Sequence, residues 1–261
     1  MLLRDKTVIV SGVGAGLGHQ VAAACLRDGA RVVLGARTER NLAATAARID
    51  ASGERTAWRA TDIGDEAQCT ALAGLAVARF GGIDAVVHVA ALDSHFGGLR
   101  DADFDTWRQV VDVNLFGTLR MTRACLPAMA AGGGGSVVII GTQSSVAAPS
   151  QVQQAAYAAS KGGLVSAMYS LAREVGSDRI RVNTVQPGWM WGPPVAEYVR
   201  HTARAEGAPE SEVLGRLTGR MALPELATDA DVAEAAVFLA SDRARAITGQ
   251  SLLVNAGELM R

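Results

Sequence analysis

Tyr157 and Lys161 are the two residues whose types and spacing best suit acid–base chemistry. They stand four positions apart in a segment with a helical pattern, so both side chains lie on one face of the predicted helix, about one turn apart. A phenol has an ordinary pKa near ~10, and a neighbouring ammonium favours its ionised form. The spacing therefore predicts a tyrosine that accepts and releases a proton near neutral pH, with Lys161 lowering its pKa.

A run of glycines near the start of the chain predicts an anion-binding turn. Gly12, Gly14, Gly16 and Gly18 follow an apolar strand directly, and a predicted helix opens at Leu17. Glycine permits positive φ and close backbone approach, and the free N–H groups at a helix N-terminus attract phosphate. In this strand–loop–helix context the run predicts a site for the pyrophosphate of a dinucleotide.

Short apolar runs alternate with amphipathic stretches along the chain and predict the elements that position these residues. The runs are β-branched and mostly non-alternating, which is typical of strands buried on both faces of a parallel sheet. Their alternation with helices predicts a doubly wound α/β fold with a single domain over residues 1–261. The predicted strands are 7–10, 32–34, 85–89, 137–140, 180–185 and 251–254. The predicted helices are 17–28, 39–51, 66–80, 103–130, 155–175 and 229–241.

The stretch 189–227 breaks this alternation and contains four prolines. Long irregular insertions into compact domains are usually lids or binding loops, so this stretch is predicted to be a substrate-binding loop. Trp189 and Trp191 would wall an apolar pocket, with Gln151 beside them. A pocket of this kind suits an apolar, cyclic or aromatic ketone or secondary alcohol.

Composition excludes several other classes of protein. The 261 residues are 49% hydrophobic, and 25 basic residues against 26 acidic ones give a formal net charge of −1. This balance argues against nucleic acid or an anionic membrane as a partner. The three cysteines are widely spaced, which indicates neither a disulfide framework nor a metal site. No apolar run reaches the ~18 residues of a spanning helix, and residues 1–6 lack a signal core, so we expect a cytoplasmic protein.

The order of several short motifs resembles that of the short-chain dehydrogenases/reductases over essentially the whole chain. The motifs are the Gly12, Gly16 and Gly18 spacing, Asn114 in Val113–Gly117, Tyr157-Ala158-Ala159-Ser160-Lys161, Pro187-Gly188 and Ile247-Thr248-Gly249-Gln250. The resemblance implies a Rossmann-type sheet, a nicotinamide cofactor and interconversion of an alcohol and a carbonyl. It also implies a homo-oligomer, a tetramer or a dimer.

The resemblance further implies roles for individual residues. Tyr157 would be the general acid and base, Lys161 would also bind the nicotinamide ribose, and Asn114 would hold a water in a proton relay. Asp62 would contact the adenine, although it could simply cap the next turn, and the Met190 backbone would meet the carboxamide. The implied cofactor-binding residues are Gly12, Gly14, Gly16, Leu17, Gly18, Arg37, Asp62, Ile63, Ala90, Tyr157, Lys161, Pro187, Gly188 and Met190.

The end of the second strand indicates which nicotinamide cofactor is used. NAD-binding proteins place an acidic residue about twenty residues after the glycines to hold the ribose 2′-OH. Ala36 stands at that position and Arg37 follows, so a guanidinium is available for a 2′-phosphate. We therefore predict NADP, with NAD as the alternative. Ala15 stands where many NADP-preferring relatives have a second basic residue, so the prediction depends chiefly on Arg37.

The hydroxyl that polarises the substrate carbonyl has two candidates. Counting along the predicted strand 137–140, the family's serine position falls on Thr142. Counting back from Tyr157, it falls on Ser144. Strand position is more rigid than loop length, which slightly favours Thr142. Ser145 is a third choice. Either hydroxyl would donate to the oxygen on which negative charge develops.

Three departures from the family pattern are visible, at Ala91, His88 and Gly192. Ala91 stands where relatives usually have glycine, and Gly192 where they often have threonine. His88 is predicted to be a hydrogen-bonded core histidine, and His19 to face solvent. Two rival readings follow from the same motifs. One is an NAD-dependent alcohol dehydrogenase, an epimerase or a lyase on the same fold, and the other is a non-catalytic dinucleotide sensor or scaffold.

Overall fold

A seven-stranded parallel sheet forms the centre of the protein. The computed structural model describes residues 1–148 and 152–260. The strand order is β3-β2-β1-β4-β5-β6-β9, so the order of the chain reverses between β1 and β4. The strands are β1 (Thr7–Ser11), β2 (Arg31–Ala36), β3 (Thr56–Ala60), β4 (Ala85–His88), β5 (Gly135–Ile140), β6 (Ile180–Pro187) and β9 (Ser251–Val254). Because all seven are parallel, their carboxyl ends meet at one edge, where open α/β sheets bind ligands.

Helices cover both faces of the sheet, as the strand–helix alternation predicts. One apolar layer joins the sheet to α1, α2 and α9, and the other joins it to α3, α5 and α6. These helices and α4 are α1 (Leu17–Arg27), α2 (Glu39–Ile49), α3 (Glu66–Phe80), α4 (Phe104–Val111), α5 (Thr118–Ala131), α6 (Ala155–Glu174) and α9 (Asp229–Ala240). The structure thus confirms the predicted doubly wound α/β fold.

Local sequence signals set several helix boundaries. Asp65 caps α3 by accepting from the backbone N–H groups of Ala67 and Gln68, and Gly81 ends the same helix in the left-handed conformation. Thr228 and Asp231 form a reciprocal capping box at the start of α9. The predicted helix over 103–130 is one helical stretch in which a π-helical turn, Asp112–Gly117, separates α4 from α5.

The expectation that 189–227 is irregular is wrong. The segment contains a short strand β7 (Met190–Trp191), helices α7 (Pro193–Glu206) and α8 (Glu210–Thr218), and the first residue of a short strand β8 (Ala227–Thr228) that pairs with β7. The two helices bury an apolar cluster of their own, formed by Val199, Ala203, Val213, Leu217 and Leu226. Pro193, Pro194 and Pro209 lie at helix starts, where a missing N–H is tolerated, and Pro224 lies between helices, so none of them interrupts a helix.

Two features expected to be missing can be checked in the described ranges. Among residues 1–148 and 152–260, no helix is long and apolar enough to cross a membrane. The same ranges hold no group of three or more His, Cys, Asp or Glu side chains that could bind a metal ion.

Candidate active site

The glycine loop after β1 packs tightly against its neighbouring strands. Gly12 N donates to the Gly35 carbonyl near the end of β2 (2.7 Å), and Ala90 N, just after β4, donates to the Ser11 carbonyl (2.8 Å). Gly12 has φ +103°, and a Cβ there would lie 2.1 Å from Ala90 N. A Cβ at Gly18 would lie 2.2 Å from the Gly12 carbonyl oxygen. These two positions therefore require glycine.

Gly14 and Gly16 border open space instead. A Cβ at Gly14 would meet no atom within 4 Å, and a Cβ at Gly16 would meet one carboxylate oxygen of Asp229 at 3.2 Å. Helix α1 begins at Leu17 with no side-chain cap and no acidic residue in its first turn. The open loop and the uncapped positive end of α1 therefore fit the pyrophosphate of a dinucleotide.

The residues predicted to hold the adenosine half lie beside this loop. Arg37 is exposed directly after β2, two positions beyond Gly35. Asp62 follows β3, and its Oδ1 accepts from Gly64 N (2.8 Å), so it caps a turn. Ile63 is buried against the position of Gly117. The structure therefore brings these residues to the carboxyl edge, and it gives Asp62 a structural role there.

Tyr157 and Lys161 lie in the first two turns of α6, as their spacing predicts. Lys161 is 2% exposed, and its Nζ donates to the Ile140 carbonyl at the end of β5 (2.7 Å). The same Nζ lies 5.8 Å from the centre of the Tyr157 ring. The ammonium thus points from the helix to the sheet edge and stays close to the phenol.

The prediction that the pKa of Tyr157 falls toward neutral pH is wrong for this site, because the net shift of its pKa is upward. Burial, and to a lesser degree the Asp93 carboxylate, raise the pKa of the phenol above its ordinary value. Burial lowers the pKa of Lys161 to about 8, against an opposing effect of Asp93. Removal from water disfavours both charged forms, and this effect outweighs the attraction that the spacing alone suggests.

Asn114 fixes the approach of the loop after β4 to α6. It is fully buried in the π-helical turn, and its Nδ2 donates to Ser160 Oγ (3.0 Å) and to the Leu92 carbonyl (3.1 Å). Its Oδ1 accepts from Leu92 N (2.6 Å). Because Ser160 immediately precedes Lys161, these bonds hold the base of the Tyr157 and Lys161 turn against the loop.

The predicted environment is confirmed for His88 and is wrong for His19. His88 is 2% exposed, and its Nε2 lies 2.8 Å from Thr122 Oγ1, which donates its single proton to the Thr118 carbonyl. Nε2 must therefore carry the donated hydrogen, and burial lowers the pKa of His88 to about 3. It is a neutral core histidine, as predicted. The expectation that His19 faces solvent is wrong, because His19 is buried with its Nε2 2.5 Å from Arg48 of α2.

The three hydroxyls after β5 have different partners. Thr142 is buried in extended backbone, and its Oγ1 accepts from Ser144 N (3.2 Å). Ser145 Oγ donates to the Thr142 carbonyl (2.8 Å) and accepts from Gln186 Nε2 (3.4 Å), so its own proton is used. Ser144 instead lines a cavity of about 440 Å³, together with residues of 98–101, 148, 152–155 and 158.

Gln143 lies between the two candidate hydroxyls and is held by the C-terminal residues. Its Nε2 donates to Glu258 Oε2 (2.5 Å), and its Oε1 accepts from Asn255 Nδ2 (2.9 Å). Glu258 is buried and pairs with Arg220, which follows α8. A Cβ at Gly188 would lie 2.8 Å from Gln143 Oε1, so this glycine admits the amide. These residues were not predicted from the sequence, because polar residues at this separation give no periodic signal.

Comparison with known proteins agrees with this geometry. The family model described as "Enoyl-(Acyl carrier protein) reductase" matches residues 12–258. Cis-4-hydroxycyclohexanecarboxylate dehydrogenase of Sinomonas cyclohexanicum is 32% identical over 253 residues, 97% of this chain and 96% of that protein. The chain belongs to the short-chain dehydrogenase/reductase family. It is therefore a nicotinamide-dependent oxidoreductase that interconverts an alcohol and a carbonyl.

Further relatives of this dehydrogenase/reductase match along its whole length. D-threitol dehydrogenase of Mycolicibacterium smegmatis is 34% identical over 259 residues, 98% of this chain and 93% of that protein. The solved structure of a short-chain type dehydrogenase/reductase from Mycobacterium ulcerans superposes with a TM-score of 0.87 at 30% identity, covering 99% of this chain and 91% of that one.

Trp189 and Trp191 of this dehydrogenase/reductase, which are predicted to wall the substrate pocket, lie in different surroundings. Trp189 packs on Tyr198 with ring centres 5.0 Å apart and joins the apolar cluster of α7 and α8. Trp191 is 42% exposed, and neither tryptophan is among the described residues that line the cavity beside Ser144. Gln151 lies outside the described residues. Pro187, Gly188 and Met190 lie at the carboxyl end of β6 and in β7, as expected.

Gly12→Ala should destabilise this dehydrogenase/reductase, because a methyl group there would overlap the backbone of Ala90 at a positive φ. We expect a loss of at least about 2 kcal/mol in the free energy of unfolding. Gly14→Ala is the matched control, since its methyl group would point into open space. Thermal unfolding of the two variants measures the difference, and equal melting temperatures would contradict the proposed constraint.

Proposed function

We propose that this protein transfers a hydride between NADP(H) and an apolar or cyclic ketone or secondary alcohol. The observation that carries the proposal is the placement of Tyr157 and Lys161. They share one face of α6, and Lys161 reaches the carboxyl edge of the sheet at Ile140. The glycine loop opens at the same edge.

In this proposal the bound nicotinamide gives or takes the hydride, and the side chains move the proton. Tyr157 donates the proton of its Oη to the carbonyl oxygen in reduction and accepts it in oxidation. The raised pKa of the phenol keeps Tyr157 protonated at neutral pH, which is the form that reduction needs. The Lys161 ammonium, with a pKa of about 8, is mostly charged at neutral pH and stabilises the phenolate that forms.

We assign Thr142 as the hydroxyl that donates to the carbonyl oxygen. Successive residues of a helix are rotated by about 100°, so Ala158 faces a different direction from Tyr157. Ser144 lines a cavity on the Ala158 side, whereas Lys161 meets the chain at Ile140, two positions before Thr142. Thr142 therefore follows the strand end that the catalytic face of α6 contacts, and among the described residues its hydroxyl proton has no acceptor.

The support for NADP is the pair of residues at the end of β2. Ala36 offers no carboxylate to a ribose 2′-OH, and the Arg37 guanidinium is exposed beside the loop. A guanidinium binds a phosphate through charge-assisted, often paired, hydrogen bonds. The remaining proposed cofactor contacts are Gly12, Gly14, Gly16, Leu17, Gly18, Asp62, Ile63, Ala90, Tyr157, Lys161, Pro187, Gly188 and Met190, while Asn114 is proposed to hold a water in the proton relay.

Relatives and exposed side chains support the substrate class and the assembly that we propose. A relative named for cis-4-hydroxycyclohexanecarboxylate suggests a cyclic secondary alcohol for this chain as well. Phe104 and Phe116 expose aromatic rings on α4 and the π-helical turn. A shared interface would cover such rings, so we propose a homo-oligomer, a dimer or a tetramer, that works in the cytoplasm on a small-molecule substrate.

Tyr157→Phe should lower kcat/KM for ketone reduction by about 10²- to 10⁴-fold, because the proton donor is removed while the ring remains. The assay uses NADPH with whichever of cyclohexanone, 2-octanone and acetophenone the wild type reduces fastest. NADPH affinity should stay nearly unchanged. Tyr169→Phe, an exposed tyrosine of the same helix, is the control and should keep full activity. Wild-type rates in Tyr157→Phe would overturn the mechanism.

Thr142→Ala should lower kcat/KM at least about 10²-fold, since one donor to the developing oxyanion is lost. Thr142→Ser restores a hydroxyl and should recover most of the activity. Ser144→Ala should change the rate by only a few-fold. The same ketone assay decides between the two residues: a severe loss in Ser144→Ala with an active Thr142→Ala would reverse the assignment.

Arg37→Ala should weaken NADPH binding by about tenfold to a hundredfold and leave NADH binding unchanged, because only NADPH has a 2′-phosphate. Nicotinamide fluorescence measures both affinities. Arg245→Ala is the control. Arg245 is exposed and directly follows the short helix Asp242–Ala244. Asp242 of that helix pairs with Lys6, which lies at the amino end of β1, the opposite end of the strand from the glycine loop. Tighter binding of NADH than NADPH by the wild type would instead assign NAD.

A further inference from the structure

The Asp229 carboxylate lies at the mouth of the glycine loop. Its Oδ2 is 3.2 Å from the position that a Cβ of Gly16 would take, and 3.9 Å from the corresponding position at Gly192. Asp229 is the first residue of α9, which packs beside α1, and Gly192 directly precedes α7. The carboxylate therefore lies between the glycine loop and the start of helix α7.

In the described part of the chain, no cation pairs with this carboxylate. Within residues 1–148 and 152–260, no hydrogen bond or ion pair to the Asp229 side chain is found. Burial alone raises the pKa of its carboxyl above the ordinary value, with no contribution from another charge. An unpaired, partly buried carboxylate of this kind is stabilised by accepting a proton.

Charged side chains on α9 and on the elements packed against it have other partners. On α9, Asp231 is held by Thr228, and Glu234 pairs with Arg27 of α1. On α1, His19 contacts Arg48 of α2. On the side of α7, Gly192 is followed by two prolines, which carry no charge. Arg37, at the end of β2, is exposed and makes no described contact with Asp229.

A pyrophosphate in the glycine loop would bring its negative charge next to Asp229. Two negative groups in a partly desolvated site repel strongly, and the weaker acid of the two then binds a proton. A protonated carboxyl has an O–H group and donates a hydrogen bond to a phosphate oxygen. A carboxylate at this place thus changes from an opposing charge to a hydrogen-bond donor when it gains one proton.

We propose that Asp229 lies against the pyrophosphate and takes up one proton from solvent when a dinucleotide binds, which makes it a determinant of cofactor affinity. The proton returns to solvent when the dinucleotide leaves. This inference rests on the proposed function, because it needs the glycine loop to bind a dinucleotide. It adds a pH dependence of binding that hydride transfer does not require.

The test is a titration of the protein with NADH, followed by nicotinamide fluorescence, from about pH 5.5 to pH 8.5. NADH is the probe because it lacks the 2′-phosphate, which itself titrates in this range. We expect the wild-type Kd to rise by up to about tenfold per pH unit above the pKa of the carboxyl. Asp229→Asn keeps a donor without the charge, so it should bind more tightly at high pH and lose this slope.

Glu234→Gln is the matched control, since it removes the same charge from an exposed pair on the same helix. It should keep the wild-type slope. Titration of Lys161 affects all three proteins equally, so the difference between their slopes isolates Asp229. Thermal unfolding of Asp229→Asn shows whether the variant remains folded.

A second measurement needs no variant. Calorimetry of NADH binding to the wild type, in buffers of different ionisation enthalpy, counts the protons taken up and should find up to one at pH values between the pKa of the carboxyl in the free protein and its higher pKa in the complex. Identical pH slopes in the wild type and Asp229→Asn, with no proton uptake, would overturn this inference and leave the proposed function standing. Failure of both NADH and NADPH to bind at any pH would overturn both.

Discussion

The close approach of Gly12 to the backbone of Ala90 is the contact on which the rest of the site depends. It occurs where the strand order reverses between β1 and β4, so the chain must turn out of the sheet without filling the crevice. Any side chain at Gly12 would separate the two strand ends. Gly18 applies the same constraint one turn later, where α1 crosses back over the Gly12 carbonyl. The crevice, the free end of α1 and the catalytic face of α6 therefore share one edge because two glycines allow it.

Burial determines the electrostatics of this edge more than pairing does. Lys161 is almost fully buried, and its described partner is a neutral carbonyl of β5, not a carboxylate. A carboxylate partner would stabilise the ammonium but would also cancel its field. A carbonyl satisfies one donor and leaves the net charge available to the phenol 5.8 Å away. The lowered pKa of Lys161 is the cost of that arrangement, since the charged form is incompletely solvated.

The sequence predicted those parts of the molecule that depend on local pattern. Helix α3 has its predicted bounds because an aspartate cap and a terminal glycine mark both ends. Strand β3 is not among the predicted strands. It lies at the sheet edge, where Arg59 and Ala60 are exposed, so its apolar pattern is weak. The prediction for 189–227 failed because three of its four prolines stand at helix starts, where a proline looks like a loop residue in sequence. The surroundings of a side chain cannot be predicted from local pattern, because they depend on tertiary packing. Residue spacing therefore indicated neither the burial of His19 nor the raised pKa of Tyr157.

Polar contacts, more than apolar packing, connect the segment 189–227 to the loop that follows β5. Helices α7 and α8 bury their own apolar cluster, so their packing does not by itself fix their distance from β5. That distance depends on the chain from Arg220 through Glu258 to Gln143, which ends between Thr142 and Ser144. A buried ion pair contributes little net stability because desolvation offsets the attraction, but its geometry is demanding. Gly188 adds to that demand, because the Gln143 amide fits only where no Cβ is present. The C-terminal residues thus help to set the position of Thr142 and Ser144 relative to the segment 189–227, and a change at Arg220 or Glu258 would act on the loop after β5.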